Sequence, residues 1–326
     1  MKYCIGIDIG GTSVKLGIMR ADGALLRKWE IPTRHGENGA WMFSDIAAAL
    51  RQALREEGLA AADIAGAGVG IPGPVMPNGY VDVCVNLGIH SCYPARELSE
   101  RLNGMRVRVA NDANVAALGE MWQGAGKGQH SICMVTLGTG VGGGIVNEAQ
   151  IIAGTHGAGG EIGHMHVLDG EPEACNCGGH GCLEQYASAT GIVRVAKRKL
   201  KASSAPSSLR AFHGTFSAKA VCDAAKAGDA LALEALRFSM DQLGLILSHV
   251  SLCTDPKLFV IGGGVSKAGS FLIDLIEQSL RKHTHLFCEK APMVVQAALG
   301  NDAGIYGAAR MMLEAEAASG DGAERA

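Results

Sequence analysis

Cys175, Cys177 and Cys182 fall within eight positions, inside the run EIGHMHVLDGEPEACNCGGHGCLE from Glu161 to Glu184. The run also holds His164, His166 and His180. Thiolate sulfur with imidazole nitrogen is a ligand set for tetrahedral zinc. Gly178, Gly179 and Gly181 let the backbone curl so that two thiolates face one ion. The expected ligands are His164, Cys175, Cys177 and Cys182, with His166 and His180 as competing imidazoles. Three sulfurs and one nitrogen leave no open position, so such a zinc is structural. It would pin Glu161, His164 and Glu184 into one polar wall. Disulfides and a chance cluster of reduced thiols are the other readings, and three clustered cysteines cannot all pair with one another.

Asp112 stands between an expected strand, Val107 to Ala110, and an expected helix, Ala113 to Trp122. An aspartate there suits a general base that accepts a hydroxyl proton during attack on phosphorus. It equally suits a plain helix N-cap. Asp8, at the end of the strand Tyr3 to Ile9, is placed to hold magnesium. Gly10 and Gly11 allow close backbone approach to a ligand, and Thr12 and Ser13 add hydroxyls. Lys15 reads as a phosphate contact or as a solvated strand lysine. A second strand, Ser131 to Leu137, runs into the glycine turn Gly138 to Gly144, followed by the strand Ile145-Val146. Val14 to Met19 is the strand after the first turn and continues into a meander with 25–31, so strand, glycine turn, strand occurs twice, which points to internal duplication with phosphates held between the two turns. The GxGxxG at 68–73 contains Pro72 and no helix follows, so it is not a dinucleotide fingerprint. Gly73 is read as backbone lining a cleft. Gly124 to Gly128 lacks phosphate-loop spacing and is read as a surface turn. Gly262-Gly263-Gly264 is either a tight strand–helix turn or a place for a nucleotide.

These residues need a scaffold, and the rest of the chain describes one. It has 326 residues, 48% hydrophobic, with 46 glycines and a net charge of −3. That length allows two domains, and that charge gives no reason to expect nucleic acid or an acidic membrane surface as partner. No apolar run reaches the roughly 18 residues of a membrane span. Ten cysteines without an export signal fit a reducing cytoplasm. Phe43, Ile46, Ala47, Leu50 and Leu54 recur at helical spacing within Ala40 to Glu57. Further helices are expected at 94–102, 187–200, 218–226, 229–253, 271–282 and 304–317, and strands at 25–31, 64–71, 258–261 and 293–297. Residues 201–216 read as a Ser-rich loop. The long helix 229–253 serves either a dimer contact or the core.

Taken in order, DIGGT, IPGP, ANDAN, LGTGVGGG, GTHGAGGEIGH, CNCGGHGCLE and IGGGV resemble the ROK family of sugar kinases, over roughly residues 3 to 315. The resemblance implies an α/β, actin-like ATPase (ribonuclease H-like) two-domain fold. It places a small domain at 1–110, completed by the helix 301–317, a large domain with the zinc site at 111–300, and a disordered tail at 318–326. The strand beginning at Tyr3 leaves no room for the DNA-binding segment of family repressors. The implied activity is ATP-dependent phosphorylation of a hexose, most similar to the family's bacterial glucokinases, in the cytoplasm and as a homodimer or dimer of dimers.

By the same resemblance Asp112 is the catalytic base for the sugar 6-hydroxyl. Asn111, Glu161, His164 and Glu184 hold other hydroxyls, with Gly73 as nearby backbone. Asp8, Gly10, Gly11 and Thr12 contact phosphate and magnesium. Thr136, Gly138, Thr139 and Gly140 form the second phosphate loop, and Gly263 lies by the adenosine. The spacing of eleven from His164 to Cys175 is one longer than family members often show. Fructose, mannose, allose, N-acetylglucosamine and N-acetylmannosamine are alternative substrates, and polyphosphate an alternative donor. A non-catalytic sugar-sensing protein is the reading from another class. Asp112 and both glycine turns favour the enzyme.

Overall fold

The computed structural model describes residues 2–284 and 292–321, with side chains as far as residue 313. The chain divides into two compact units. Unit 1 comprises residues 1–130, 144–160 and 298–326, and unit 2 comprises 131–143 and 161–297.

Unit 1 is built on a five-stranded sheet. β1 (Tyr3–Ile9), β2 (Ser13–Arg20) and β3 (Leu25–Pro32) form the expected meander. α1 (Ala40–Glu56) and β4 (Ile64–Ile71) follow. Next comes a hairpin, β5 (Val81–Cys84) and β6 (Ile89–Cys92), then α2 (Pro94–Arg101), β7 (Val107–Asn111) and α3 (Asp112–Gln123). The sheet order is β3-β2-β1-β4-β7, with β1, β4 and β7 parallel. The helical spacing in α1 is confirmed, since Phe43, Ile46, Ala47, Leu50 and Leu54 are all buried against the sheet's apolar side chains. Burying this stripe is what holds α1, because propensity alone is too weak to do so. The hairpin β5–β6 lacks the alternation of a half-buried strand and was not legible as strand.

β8 (Ile132–Leu137), β9 (Val141–Asn147) and β10 (Gln150–Ile151) come next. The turn between β8 and β9 is shorter than expected. Val141 to Gly144 already belong to β9, because small residues there allow backbone packing: a Cβ on Gly144 would collide with the Ala113 carbonyl. Then come α4 (Glu184–Ala187), α5 (Ala189–Ala202), α6 (Ala218–Lys226), α7 (Ala230–Thr254), β11 (Leu258–Gly262), α8 (Ser270–His283), β12 (Met293–Gln296) and α9 (Ala303–Asp321). The expected helix 187–200 is α5, which starts at Ala189 because the Ser188 hydroxyl caps it by accepting from Gly191 N, and the short α4 precedes it. The Ser-rich loop contains a 3-10 turn, Ser208–Phe212.

The second sheet has the order β10-β9-β8-β11-β12, with β11 parallel to both β8 and β12. A meander followed by two parallel strands is the topology of the first sheet as well, so the repeated strand–glycine–strand pattern marks two sheets of one design. α7 buries Leu231, Leu236, Met240, Leu243, Ile246, Leu247 and Val250 within this chain, the core role of its two readings. No described helix is long and apolar enough to cross a membrane.

Residues 111–130 and 144–160, both expected in the large domain, group with unit 1, and the last helix runs past its expected end. The first of these segments does so because α3 packs along α9: a Cβ on Gly307 would meet the Val115 carbonyl, and one on Gly119 the Ala303 carbonyl. Glu120 reinforces this, since its buried carboxylate accepts from the amides of Ala125 (2.8 Å), Ala298 (3.0 Å) and Leu299 (2.7 Å). α9 also continues past 317 to Asp321, and the remainder of the expected tail, 322–326, lies outside the described residues.

α9 reaches the sheet at backbone distance because Gly6 faces the Ile305 carbonyl and Gly68 the Ala308 carbonyl. A methyl group at either position collides with backbone that cannot rotate away. Gly68→Ala is therefore expected to lower unfolding stability in urea by about 1–3 kcal/mol, the usual cost of overpacking. A midpoint equal to wild type would disprove this seating.

Candidate active site

The expected site residues of unit 1 collect at one edge of its sheet. Parallel pairing aligns Asp8 of β1 with Gly70 of β4, and Gly70 with Ala110 of β7. Asp8, Gly73, Asn111 and Asp112 thus stand at or just beyond the carboxyl ends of three adjacent parallel strands, where open α/β sheets bind ligands. The turn after β1 is cross-braced. Thr33 donates through Oγ1 to Gly10 O (2.6 Å) and through its amide to Thr12 O (3.0 Å), and His35 Nε2 lies 2.8 Å from Gly11 O. Thr33 and His35 lie just after β3 and carry no local signature for this task. Lys15 is an ion-pair partner, with Nζ 3.5 Å from Asp8 Oδ2. Burial pushes the Asp8 carboxyl up, and Lys15 opposes that shift.

The two readings of Asp112 separate in the structure. The N-cap of α3 is Asn111, whose Oδ1 accepts from Ala113 N (2.9 Å) and Asn114 N (3.1 Å). Asn111 Nδ2 donates to Gly73 O (3.1 Å), tying the loop after β4 to the start of α3. Asp112 is the first helical residue, half-buried, with Oδ1 accepting from Ala113 N at 2.8 Å. Asn111 is thus the cap, and the Asp112 bond goes to an amide that Asn111 already satisfies. Cys84 of the hairpin lies beside this cluster, since a Cβ on Gly73 would stand 4.0 Å from Cys84 Cα, and burial pushes the Cys84 thiol up.

Unit 2 repeats the arrangement. Thr136 of β8 pairs with Gly262 of β11, so Gly138, Thr139, Gly140 and Gly263 share one carboxyl edge. Gly138 N donates to Gly140 O (3.0 Å), and the start of α5 closes on the same turn through Ala189 N to Gly138 O (2.8 Å) and Thr190 Oγ1 to Thr139 O (2.9 Å). Gly263 has φ +83°, and a Cβ there would lie 2.5 Å from Leu137 O. Only glycine lets β11 turn this close to the end of β8.

The Cys/His run folds into one cluster. The ligand atoms of His164, Cys175, Cys177 and Cys182 all lie within 4.8 Å of one another. Cys177 Sγ is 3.6 Å from Cys182 Sγ, and Cys175 Sγ is 3.7 Å from His164 Nδ1. Ligands at about 2.3 Å from a tetrahedral zinc are about 3.8 Å apart, so the donor set and its spacing fit that ion. The competing imidazoles have other partners. His166 Nδ1 lies 2.9 Å from His180 O and its Nε2 2.9 Å from Asp169 Oδ1, while His180 Nδ1 lies 2.9 Å from Glu171 O. Burial pushes the Cys182 thiol up to about 12, and the neighbouring sulfurs add to it. The Gly179 amide pulls Cys177 down. Three sulfurs this close ionise together only beside a cation.

Glu184 joins this cluster to the glycine turn. Its Oε2 accepts from Val141 N (3.1 Å), and its Oε1 lies 3.9 Å from Cys175 Sγ. A Cβ on Gly140 would strike that carboxylate. Glu161 opens the short turn that carries His164, whose amide donates to Glu161 O (3.1 Å). His164 and Glu184 thus meet the sulfur cluster within unit 2, and Glu161 opens the turn that carries His164.

Glu171 has no motif to betray it. Its buried carboxylate makes a bidentate pair with Arg198, both bonds 2.7 Å, and accepts from Tyr186 Oη at 2.7 Å. The partners are 27 and 15 residues away in sequence. The pair clamps the loop before Cys175 onto α5 and α4.

The duplicated sheets, with ligand-ready glycine turns at their carboxyl edges, are those of the actin-like ATPase fold. The chain belongs to the ROK family, whose model matches residues 4–315. It is 39% identical over 318 residues to a glucokinase of Halalkalibacterium halodurans, covering 97% of this chain and 96% of that protein. The solved structure of a ROK family glucokinase from Streptomyces griseus in complex with glucose and AMPPNP has a TM-score of 0.72 at 32% identity, covering 95% of this chain and 98% of that one. A ROK hexokinase from Thermus thermophilus has a TM-score of 0.80 at 31% identity, covering 97% and 99%.

The Arg198 guanidinium holds the Glu171 carboxyl at about 2 rather than 4.5. A depressed value means the stabilisation is complete above 4.5 and is lost as pH falls toward 2. Glu171→Gln should cost about 1.5–3 kcal/mol at neutral pH, as for a hydrogen bond to a charged group. The gap between wild type and variant should then close on acidification through that window. A gap that stays constant down to acid pH would rule the clamp out.

Proposed function

We infer that this protein phosphorylates a hexose from ATP, with glucose converted to glucose 6-phosphate as the leading reaction. The observation that carries the reading is Asp112: a half-buried carboxylate at a strand–helix junction whose capping role is taken by Asn111. The family membership and the glucokinase relatives support the donor and the sugar. Asp112 would take the proton of the sugar 6-hydroxyl as that oxygen bonds to the γ-phosphorus. The bond from that phosphorus to the β–γ bridging oxygen breaks, and ADP leaves with the electron pair. Such a transfer needs positioning and charge neutralisation more than covalent help.

Asp8, Gly10, Gly11 and Thr12 would hold phosphate and magnesium, and magnesium neutralises charge on the transferring group. Thr136, Gly138, Thr139 and Gly140 would meet the phosphates from unit 2, with Gly263 beside the adenosine. Glu161, His164 and Glu184 would take sugar hydroxyls. Asn111 has both ends of its amide engaged, so its part would include holding Asp112 and Gly73 in place. His164, Cys175, Cys177 and Cys182 would bind structural zinc, with His164 Nδ1 on the ion and Nε2 turned to the sugar. The homodimer or dimer of dimers and the cytoplasmic setting belong to the same proposal.

Asp112→Asn should lower the turnover of ADP release over a panel of glucose, mannose, fructose, allose and N-acetylhexosamines by at least about 10³-fold, within the range for losing a general base. Wild type as silent as the variant, with glucose still bound, would establish a sugar sensor instead. Metal analysis of freshly purified protein should find one zinc per chain. Cys182→Ser should lose that zinc and unfold at lower temperature, because metal binding free energy is folding free energy. Zinc-free wild type with unchanged melting would sink the metal assignment.

A further inference from the structure

Asp8 closes β1 against the first turn of α9. A Cβ built on Gly304 would lie 2.5 Å from Asp8 Cγ, 2.7 Å from Oδ2 and 2.9 Å from Oδ1. Real Cβ atoms essentially never come that near another atom, so any side chain at this position would force the carboxylate to move. On its other side Lys15 Nζ stands 3.5 Å from Oδ2. The two contacts differ in stiffness. Lys15 ends a flexible four-carbon stem and follows whatever the carboxylate does. Gly304 belongs to a helix seated on the strand that carries Asp8. Gly6 and Asp8 point to the same face of β1, since strand side chains alternate. Gly6 meets the Ile305 carbonyl, and Asp8 meets the residue before it. The depth at which α9 sits is therefore also the limit on where the Asp8 carboxylate can go.

We propose that Gly304 is a positioning residue for phosphoryl transfer. By presenting no side chain, it sets where the Asp8 carboxylate stands beside the Gly10–Thr12 turn. The proposal rests on the reading above, in which Asp8 serves magnesium and phosphate.

The test is a double-mutant cycle on the full chain. Gly304→Ala adds one methyl group against the Asp8 carboxylate and drives it toward Lys15. Affinity for the magnesium–AMPPNP complex, measured by calorimetry, should fall roughly 10-fold to 100-fold, the scale of a misplacement of about 1 Å. The KM for nucleotide should rise with it, while the KM for sugar stays as in wild type. Asp8→Ala removes the group that is struck. Asp8→Ala/Gly304→Ala should then bind magnesium–AMPPNP no worse than Asp8→Ala alone, and should regain the melting temperature that Gly304→Ala loses. If Gly304→Ala does not fold, folding of the double variant supports the proposal and its failure overturns it. Wild-type affinity in Gly304→Ala, or losses that simply add in the double variant, would overturn the proposal alone. An Asp8→Ala variant with undiminished affinity would overturn the assignment of Asp8 and this inference with it.

Discussion

Helix α9 lies on the first sheet at backbone distance because Gly6 and Gly68 offer it no side chain. Much of unit 1 follows from that contact. α3 packs on α9 through a second close approach at Gly307 and Gly119, so the seat of α9 also sets the seat of α3. α3 begins at Asp112, and Asn111 fastens that beginning to the loop of Gly73. A glycine-lined contact is stiff, since backbone atoms in van der Waals contact have no rotamers to change. The chemistry proposed for this unit stands on that stiffness at two places, the end of β1 and the start of α3.

Unit 2 reaches the same end by another route. Its chemistry-bearing loops are long and short of regular structure, so packing against a helix cannot hold them. Three anchors replace it. The sulfur and imidazole donors gather around one point, Glu171 clamps the loop to Arg198, and Glu184 reaches from the sulfur cluster to the glycine turn after β8. Each anchor is polar and each depends on charge. Unit 2 should accordingly respond to acid and to metal chelators, while unit 1 should respond to changes of volume.

Much of the candidate site was legible because its signals are short-range. CNCGGHGC carries three soft donors in eight residues, and DIGGT and LGTG each end a strand with glycine. The apolar spacing of α1 pointed to its buried face, and all five stripe residues lie there. What stayed hidden has partners far away in sequence. Glu171 finds Arg198 across 27 residues, and Glu120 finds the amides of Ala298 and Leu299 across 178 and 179. Thr33 and His35 brace a turn more than twenty residues earlier. The β5–β6 hairpin carries no local signal, because its strands have four residues each and no alternating pattern.

The amino-acid sequence by itself determined the family, the two glycine turns and the three sulfurs of the Cys/His cluster, because each depends on residue types a few positions apart. Tertiary structure alone decided which imidazole belongs to the cluster, since His166 and His180 are removed from it by partners that only folding supplies. It also decided that Asn111 rather than Asp112 caps α3, and that residues 111–130 pack with α9. Those outcomes turn on distances between groups far apart along the chain, and no local pattern encodes a distance.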